Sequence, residues 1–95
     1  MELTSIITRA ETCMVAPMEN ELVVVSMASN EYVALDEIGR VIWELLETPV
    51  CVDTLCAQLA EKYAISPEQI RADVLPFLQE LQKVSLIEVT PADAL

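Results

Sequence analysis

Hydrophobic and polar positions follow one rhythm up to about residue 35 and another after it. In the first stretch, Leu22-Val23-Val24-Val25 is a mainly β-branched run that continues through Ser26-Met27-Ala28. Ser29-Asn30 then supplies turn chemistry, and Tyr32-Val33-Ala34-Leu35 follows, so the pattern predicts a hairpin. The earlier segment Thr12–Ala16 can pair with Leu22–Met27 across Pro17–Asn20, and Ser5–Thr8 is a candidate for a further short strand. The expectation is a small antiparallel sheet of about three strands, which needs something to cover one face.

After residue 35 the period becomes helical. Asp36 is placed to cap a first helix carrying Ile38, Val41, Ile42, Leu45 and Leu46 inward with Trp43 on its flank, ended by Thr48-Pro49. A second helix is predicted from about Val52 to Tyr63, with Leu55, Cys56 and Leu59 inward. For the third, Ser66 is a good N-cap, Pro67 suits the first helical position, and Gln69 completes a capping box. Its core stripe is Ile70, Val74, Phe77, Leu81 and Val84. Pro76 cannot donate to the Ala72 carbonyl, which predicts a kink or a helix in two pieces. Leu86–Val89 is a candidate closing extended segment, and residues 90–95 are expected to fray. Strands first and helices after make this an α+β chain, a small three-stranded antiparallel sheet followed by three helices, which is also the outline of a winged helix-turn-helix.

Length and composition narrow the class. The 95 residues have room for one domain, 1–95, and the apolar fraction of 54 % is enough for a core. No apolar run approaches the roughly 20 residues of a membrane span. No basic-then-apolar stretch marks the start as a signal peptide, and three cysteines suit reduced thiols, so a cytoplasmic location is expected. The net charge of −11 repels phosphate backbones, and Arg9, Arg40, Lys62, Arg71 and Lys83 are scattered rather than clustered.

The ingredients of catalysis are missing one after another. The chain has no histidine, the commonest general base, and a single glycine, Gly39, so no glycine-rich phosphate loop. Cys13, Cys51 and Cys56 sit in apolar or acidic company without an activating base. Cys51 and Cys56 lack the second close pair that thiolate zinc sites usually use. No enzyme activity, metal or cofactor is expected. No serine follows an aspartate, which sets aside a phosphopantetheine carrier.

Segment 22–46, with Tyr-Val-Ala-Leu at 32–35 and Ile-Trp-Glu-Leu-Leu at 42–46, resembles the PqqD-like proteins. Ala-Glu-Lys-Tyr at 60–63, Asp73-Val74 with Phe77-Leu78 and Leu81, and Leu86-Ile87 extend the resemblance over about residues 12–89. Cys51 departs from the pattern where a capping Thr or Ser is common, and Pro76 interrupts the third helix. The resemblance implies a recognition element for ribosomally made, post-translationally modified peptides. Such a protein holds the leader of a precursor as an added strand on the sheet edge, against the third helix. A free-standing chain of this length looks most like the leader-binding protein of a lasso peptide pathway. That implies a leader with a Tyr-x-x-Pro motif, and a cysteine leader protease and an ATP-dependent cyclase as partners. The alternatives are a peptide chaperone for a radical SAM enzyme in pyrroloquinoline quinone biosynthesis, or a winged-helix DNA-binding protein.

Under that implication Glu31–Leu35 is the candidate edge strand, with Tyr32 and Ala34 on one face and Glu31, Val33 and Leu35 on the other. On the third helix, Arg71, Leu75, Leu78 and Gln82 fall together to one side of the stripe centred on Val74 and Leu81. The candidate peptide contacts are therefore Glu31, Tyr32, Val33, Ala34 and Leu35 with Arg71, Val74, Leu75, Leu78 and Gln82. Leu75 and Leu78 either wall a groove or simply widen the core, and Leu78, nearer the stripe centre, fits the core better. Trp43 suits the core by its bulk.

Overall fold

A computed structural model describes residues 1–19 and 21–92 of the chain. In chain order the elements are β1 (Ile6–Arg9), β2 (Cys13–Met18), β3 (Glu21–Ser26), β4 (Tyr32–Leu35), α1 (Glu37–Leu45), β5 (Val50–Cys51), α2 (Val52–Tyr63), α3 (Pro67–Lys83) and β6 (Ile87–Thr90). The strands form two antiparallel three-stranded sheets, ordered β2-β3-β4 and β5-β1-β6. The first is the expected one. The second is an addition to the expected fold: Ser5–Thr8 does yield a strand, but it pairs with β6 (Ile7 opposite Val89) and β5 (Ile7 opposite Val50), not with the hairpin sheet.

One core joins both sheets to the three helices. It runs from Ile7 through Val24, Leu35, Ile42 and Trp43 to Leu55, Leu59, Val74, Leu78, Leu81 and Leu86. It reaches back before residue 12, because Ile7 on the central strand β1 is wholly buried. Trp43 lies in that core at 3 % exposure, while Ile38, expected inward, is 47 % exposed. Thr90 belongs to β6 rather than to a frayed tail, and residues 93–95 lie outside the described residues.

Helix ends show where local sequence and distant backbone share the work. Asp36 caps α1 through its carboxylate, which accepts from the Gly39 N–H at 2.7 Å. The C-terminal turn of α1 contains no basic residue. Arg9, from β1, supplies it: its Nε donates to the Trp43 carbonyl at 3.1 Å, its Nη2 donates to the same oxygen, and its guanidinium lies 4.7 Å from the Trp43 ring centre. At the start of α2 the Cys51 side chain provides no cap. The orphan N–H groups of Val52 and Asp53 donate instead to the backbone carbonyls of Ser5 and Leu3, at 3.0 and 2.9 Å.

In α3, Ser66 Oγ accepts from the Gln69 N–H, but the Gln69 amide donates forward to Asp73 at 3.2 Å, so the capping box is only half made. Pro76 does not divide α3, which runs as one 17-residue helix. Its missing N–H falls on an exposed position, where the freed carbonyl can meet water. α2 closes on a left-handed Ala64 (φ 54°), with the Ile65 N–H reaching back to Ala60 O, and α3 closes the same way on Ser85 (φ 65°), with Leu86 reaching Leu81 O. Glycine usually takes these positions.

Two outcomes follow for urea denaturation. Arg9→Ala is expected to lower the unfolding free energy by about 1.5–3 kcal/mol, the range for a hydrogen bond to a charged group. Arg9→Lys should recover only part, because an ammonium lacks the planar fork and the stacking face. Ala64→Gly should raise stability by about 1 kcal/mol, since the left-handed cost to an L-residue disappears; a loss there would contradict the cap assignment.

Candidate functional site

The hydrogen-bond phase of the hairpin sheet decides which backbone groups are free. Residues paired across an antiparallel ladder alternate between bonded and non-bonded pairs. Ser26 N–H donates to Glu31 O at 2.8 Å, in the same register that sets Val24 opposite Val33 and Leu22 opposite Leu35. Those pairs are therefore the bonded ones. Tyr32 and Ala34 lie between them and turn their N–H and C=O groups outward, away from β3. On the other edge, Met27 N–H donates to Thr12 O, which fixes the opposite phase between β2 and β3. The outward positions of β2 are then Cys13, Val15 and Pro17, and Pro17 has no N–H. Proline is a common device for blunting an edge strand. The sheet thus has one blunted edge, β2, and one competent edge, β4.

Beside β4 lies a cleft of about 530 Å³. Tyr32, Val33 and Ala34 form one wall. Its base comes from α1 and α2, through Ile42, Leu59 and Gly39. Gly39 matters by its lack of a side chain: a Cβ there would stand 3.1 Å from Asp36 Oδ1 and 3.4 Å from Leu35. The opposite wall is α3, presenting Ile70, Asp73, Val74, Phe77 and Glu80, and Ile38, Tyr63 and Ile65 complete the rim. Ile38 and Ile65 are exposed and Phe77 only half-buried, so apolar surface is left open to solvent here. A smaller hollow of about 360 Å³ adjoins it at Ala34 and Asp36, bounded by Glu21, Glu37 and Arg40.

The two walls are tied to each other at one end through the hairpin turn. Ser29 Oγ donates to Val84 O at 2.8 Å, and buried Ser26 Oγ donates to Ser85 O at 3.5 Å while accepting from Ser29 N–H. These carbonyls belong to the end of α3, where a helix leaves acceptors unpaired.

The structure brings together some of the expected residues. Tyr32, Val33, Ala34 and Val74 line the cleft. Leu35 is 3 % exposed and borders only the smaller hollow. Glu31 precedes β4, and its carbonyl is taken by Ser26. Arg71, Leu75, Leu78 and Gln82 do not line the cleft. Arg71 ion-pairs with Asp53 of α2 at 3.2 Å, Leu78 is fully enclosed in the core, Leu75 is half-buried against that core, and Gln82 is exposed. The reason is rotational: the buried stripe runs Ile70, Val74, Leu78, Leu81, so Leu78 takes the inward place expected for Phe77, and the cleft flank is Asp73, Phe77 and Glu80. An i, i+4, i+7 set with an aromatic between two acids was readable in the sequence, but a phenylalanine on a helix is ordinarily assigned to the core.

Among the described residues, none of the cysteines lines this cleft. Burial pushes the Cys56 thiol up, which keeps it protonated, and among the described residues no group of three or more Cys, Asp or Glu side chains could hold a metal ion. Among the described residues no helix is long and apolar enough to cross a membrane.

A family model described as coenzyme PQQ synthesis protein D (PqqD) matches residues 21–87. Among solved structures, "TbiB1 in Complex with the TbiA(beta) Leader Peptide" is similar in fold, with a TM-score of 0.74 at 23 % identity, covering 85 % of this chain and 94 % of that one. No curated protein matches the sequence significantly.

The edge assignment has a direct readout in amide hydrogen exchange followed by NMR. Val33 and Leu35 should be protected and Tyr32 and Ala34 should exchange fast, because only the former pair donates to β3. The reverse pattern would mean that the ladder has the opposite phase.

Proposed function

The chain belongs to the coenzyme PQQ synthesis protein D (PqqD) family, and from that premise we propose that it binds the leader segment of a ribosomally synthesised precursor peptide and presents it to a modifying enzyme. Its role is recognition rather than catalysis. The carrying observation is the pairing of β4, the competent edge of the hairpin sheet, with an apolar cleft along α3. A peptide laid beside β4 satisfies the outward N–H and C=O groups of Tyr32 and Ala34, which supplies affinity independent of sequence. Its side chains then enter the cleft against Val74 and Phe77, which supplies selectivity. The solved structure of similar fold is a complex with a leader peptide, which supports a leader as the ligand.

The whole chain, 1–95, acts as one recognition domain in the cytoplasm. We place it in a lasso peptide pathway, with a Tyr-x-x-Pro leader whose aromatic ring enters the cleft. A cysteine leader protease and an ATP-dependent cyclase are the receiving enzymes. The description of the matching family model favours a second reading, delivery to a radical SAM enzyme in pyrroloquinoline quinone synthesis. The two differ in partner, not in how the peptide is held. A DNA-reading role for α3 is disfavoured: Glu68, Asp73 and Glu80 line its exposed surface, and Arg71 is engaged by Asp53.

Fluorescence-polarisation titration with the leader of a precursor encoded beside this protein, against a scrambled control, tests the proposal. Saturable binding of the leader alone is expected, with Phe77→Asp weakening it by about tenfold or more through loss of an aromatic contact and burial of a charge. Gln82→Ala should leave binding unchanged. A folded sample that ignores the leader would refute the lasso reading, and the leader of a pyrroloquinoline quinone precursor is then the next ligand.

A further inference from the structure

The cleft is apolar in its depth and acidic at its rim. The charged residues that line it are Asp36 on one side and Asp73 and Glu80 on the other, with no Lys or Arg among the lining residues. Two of the three carboxylates already have structural duties. Asp36 caps α1 through Gly39 N–H, and Asp73 accepts from the Gln69 amide. The Glu80 carboxylate has no hydrogen bond or ion pair among the described residues, and the residue is exposed. It therefore stands beside an apolar cleft with its full acceptor capacity unspent.

Spacing gives the acids a register. Asp73, Phe77 and Glu80 follow one flank of α3 at i, i+4 and i+7, so at about 1.5 Å per residue each carboxylate lies about 4.5–6 Å along the helix from Phe77. In an extended peptide, side chains that share a face are about 6.6 Å apart, two residues along the chain. An apolar side chain seated over Phe77 thus places the side chain two positions away alongside a carboxylate.

Resting on the reading of the cleft as a peptide site, we propose that Glu80, supported by Asp73, is a specificity determinant that selects peptides carrying Lys or Arg two residues from the apolar side chain that fills the cleft. Charge complementarity selects the occupant. An acidic or neutral residue at that position leaves Glu80 unpaired or repelled, while a cation both pairs with it and covers the rim. The chain's net charge of −11 adds a long-range pull toward a basic segment, but only the local pair fixes its register.

The test is selection of a phage-displayed library of random linear peptides on the immobilised full chain, run in parallel on Glu80→Gln and Asp73→Asn. For the unmodified protein, enrichment of an aromatic or aliphatic anchor with Lys or Arg two positions away is expected. Glu80→Gln should keep the anchor and lose most of the cation preference. Synthetic peptides from the selection, with Lys replaced by norleucine, should then bind about two- to fivefold more weakly to the unmodified protein and equally to Glu80→Gln, the size a partly exposed ion pair allows. That difference should shrink as salt rises from about 50 to 500 mM. An enriched anchor without a neighbouring cation, or a cation preference that survives in both variants, would overturn the assignment while leaving peptide binding intact. Failure to enrich any anchor would remove the peptide-binding reading itself, and this inference with it.

Discussion

The hydroxyls of Ser26 and Ser29 hold the rest of the site in place. They reach from the β3–β4 turn to the carbonyls of Ser85 and Val84 at the end of α3. A helix end leaves such carbonyls unpaired, and a tight turn leaves hydroxyls available, so each satisfies what the other lacks. Ser26 is wholly buried, which makes the arrangement obligatory, since an unpaired hydroxyl there would cost stability. The consequence is geometric. β4 and α3 make few direct contacts along their lengths, yet their spacing is fixed at one end by this turn and below by Leu35, Ile42 and Val74. The cleft is the space between two elements tied together at their margins.

A binding edge must be open, and an open edge invites pairing with the wrong strand. This sheet resolves the conflict by treating its two edges differently. Pro17 removes a donor at an outward position of β2, while β4 keeps Tyr32 and Ala34 outward beside an apolar cleft. Backbone pairing alone would accept almost any extended chain. The cleft, with an apolar base and an acidic rim, is what can make it selective. The wider acidity of the surface acts at longer range, disfavouring other acidic chains and nucleic acid.

The second sheet has a separate task. It gathers the two ends of the chain: β1 pairs with β6, carries Arg9 to the end of α1, and is preceded by the carbonyls that cap α2. The helices that form the base of the cleft are therefore terminated by Arg9 of β1 and by the residues just before that strand, far from them in sequence. Cys51 illustrates this. As a poor N-cap it suggests a weak helix start, and the backbone of residues 3–5 makes good the deficit.

The sequence by itself determined the elements whose signals are local. The strands of the hairpin sheet follow from their β-branched runs, α1 from the Asp36 cap, α2 from its stripe, and α3 from Ser66-Pro67. The motif order of 32–35, 42–46 and 60–63 was enough to point to the family. The edge strand was also legible, because a hairpin's last strand before a helix has no further partner in sequence. Tertiary structure alone decided the rest. β5 is two residues long and has no period to detect, so the second sheet exists only through pairing with distant β1. Continuity of α3 through Pro76 depended on that position facing solvent. The rotation of α3 was settled by which side chain fitted the core: Leu78 was enclosed and Phe77 left at the rim, although both are apolar and adjacent. A helical wheel gives the spacing of residues around a helix but not the direction in which the rest of the protein lies, and that direction set Asp73, Phe77 and Glu80, rather than Arg71, Leu75 and Gln82, against the cleft.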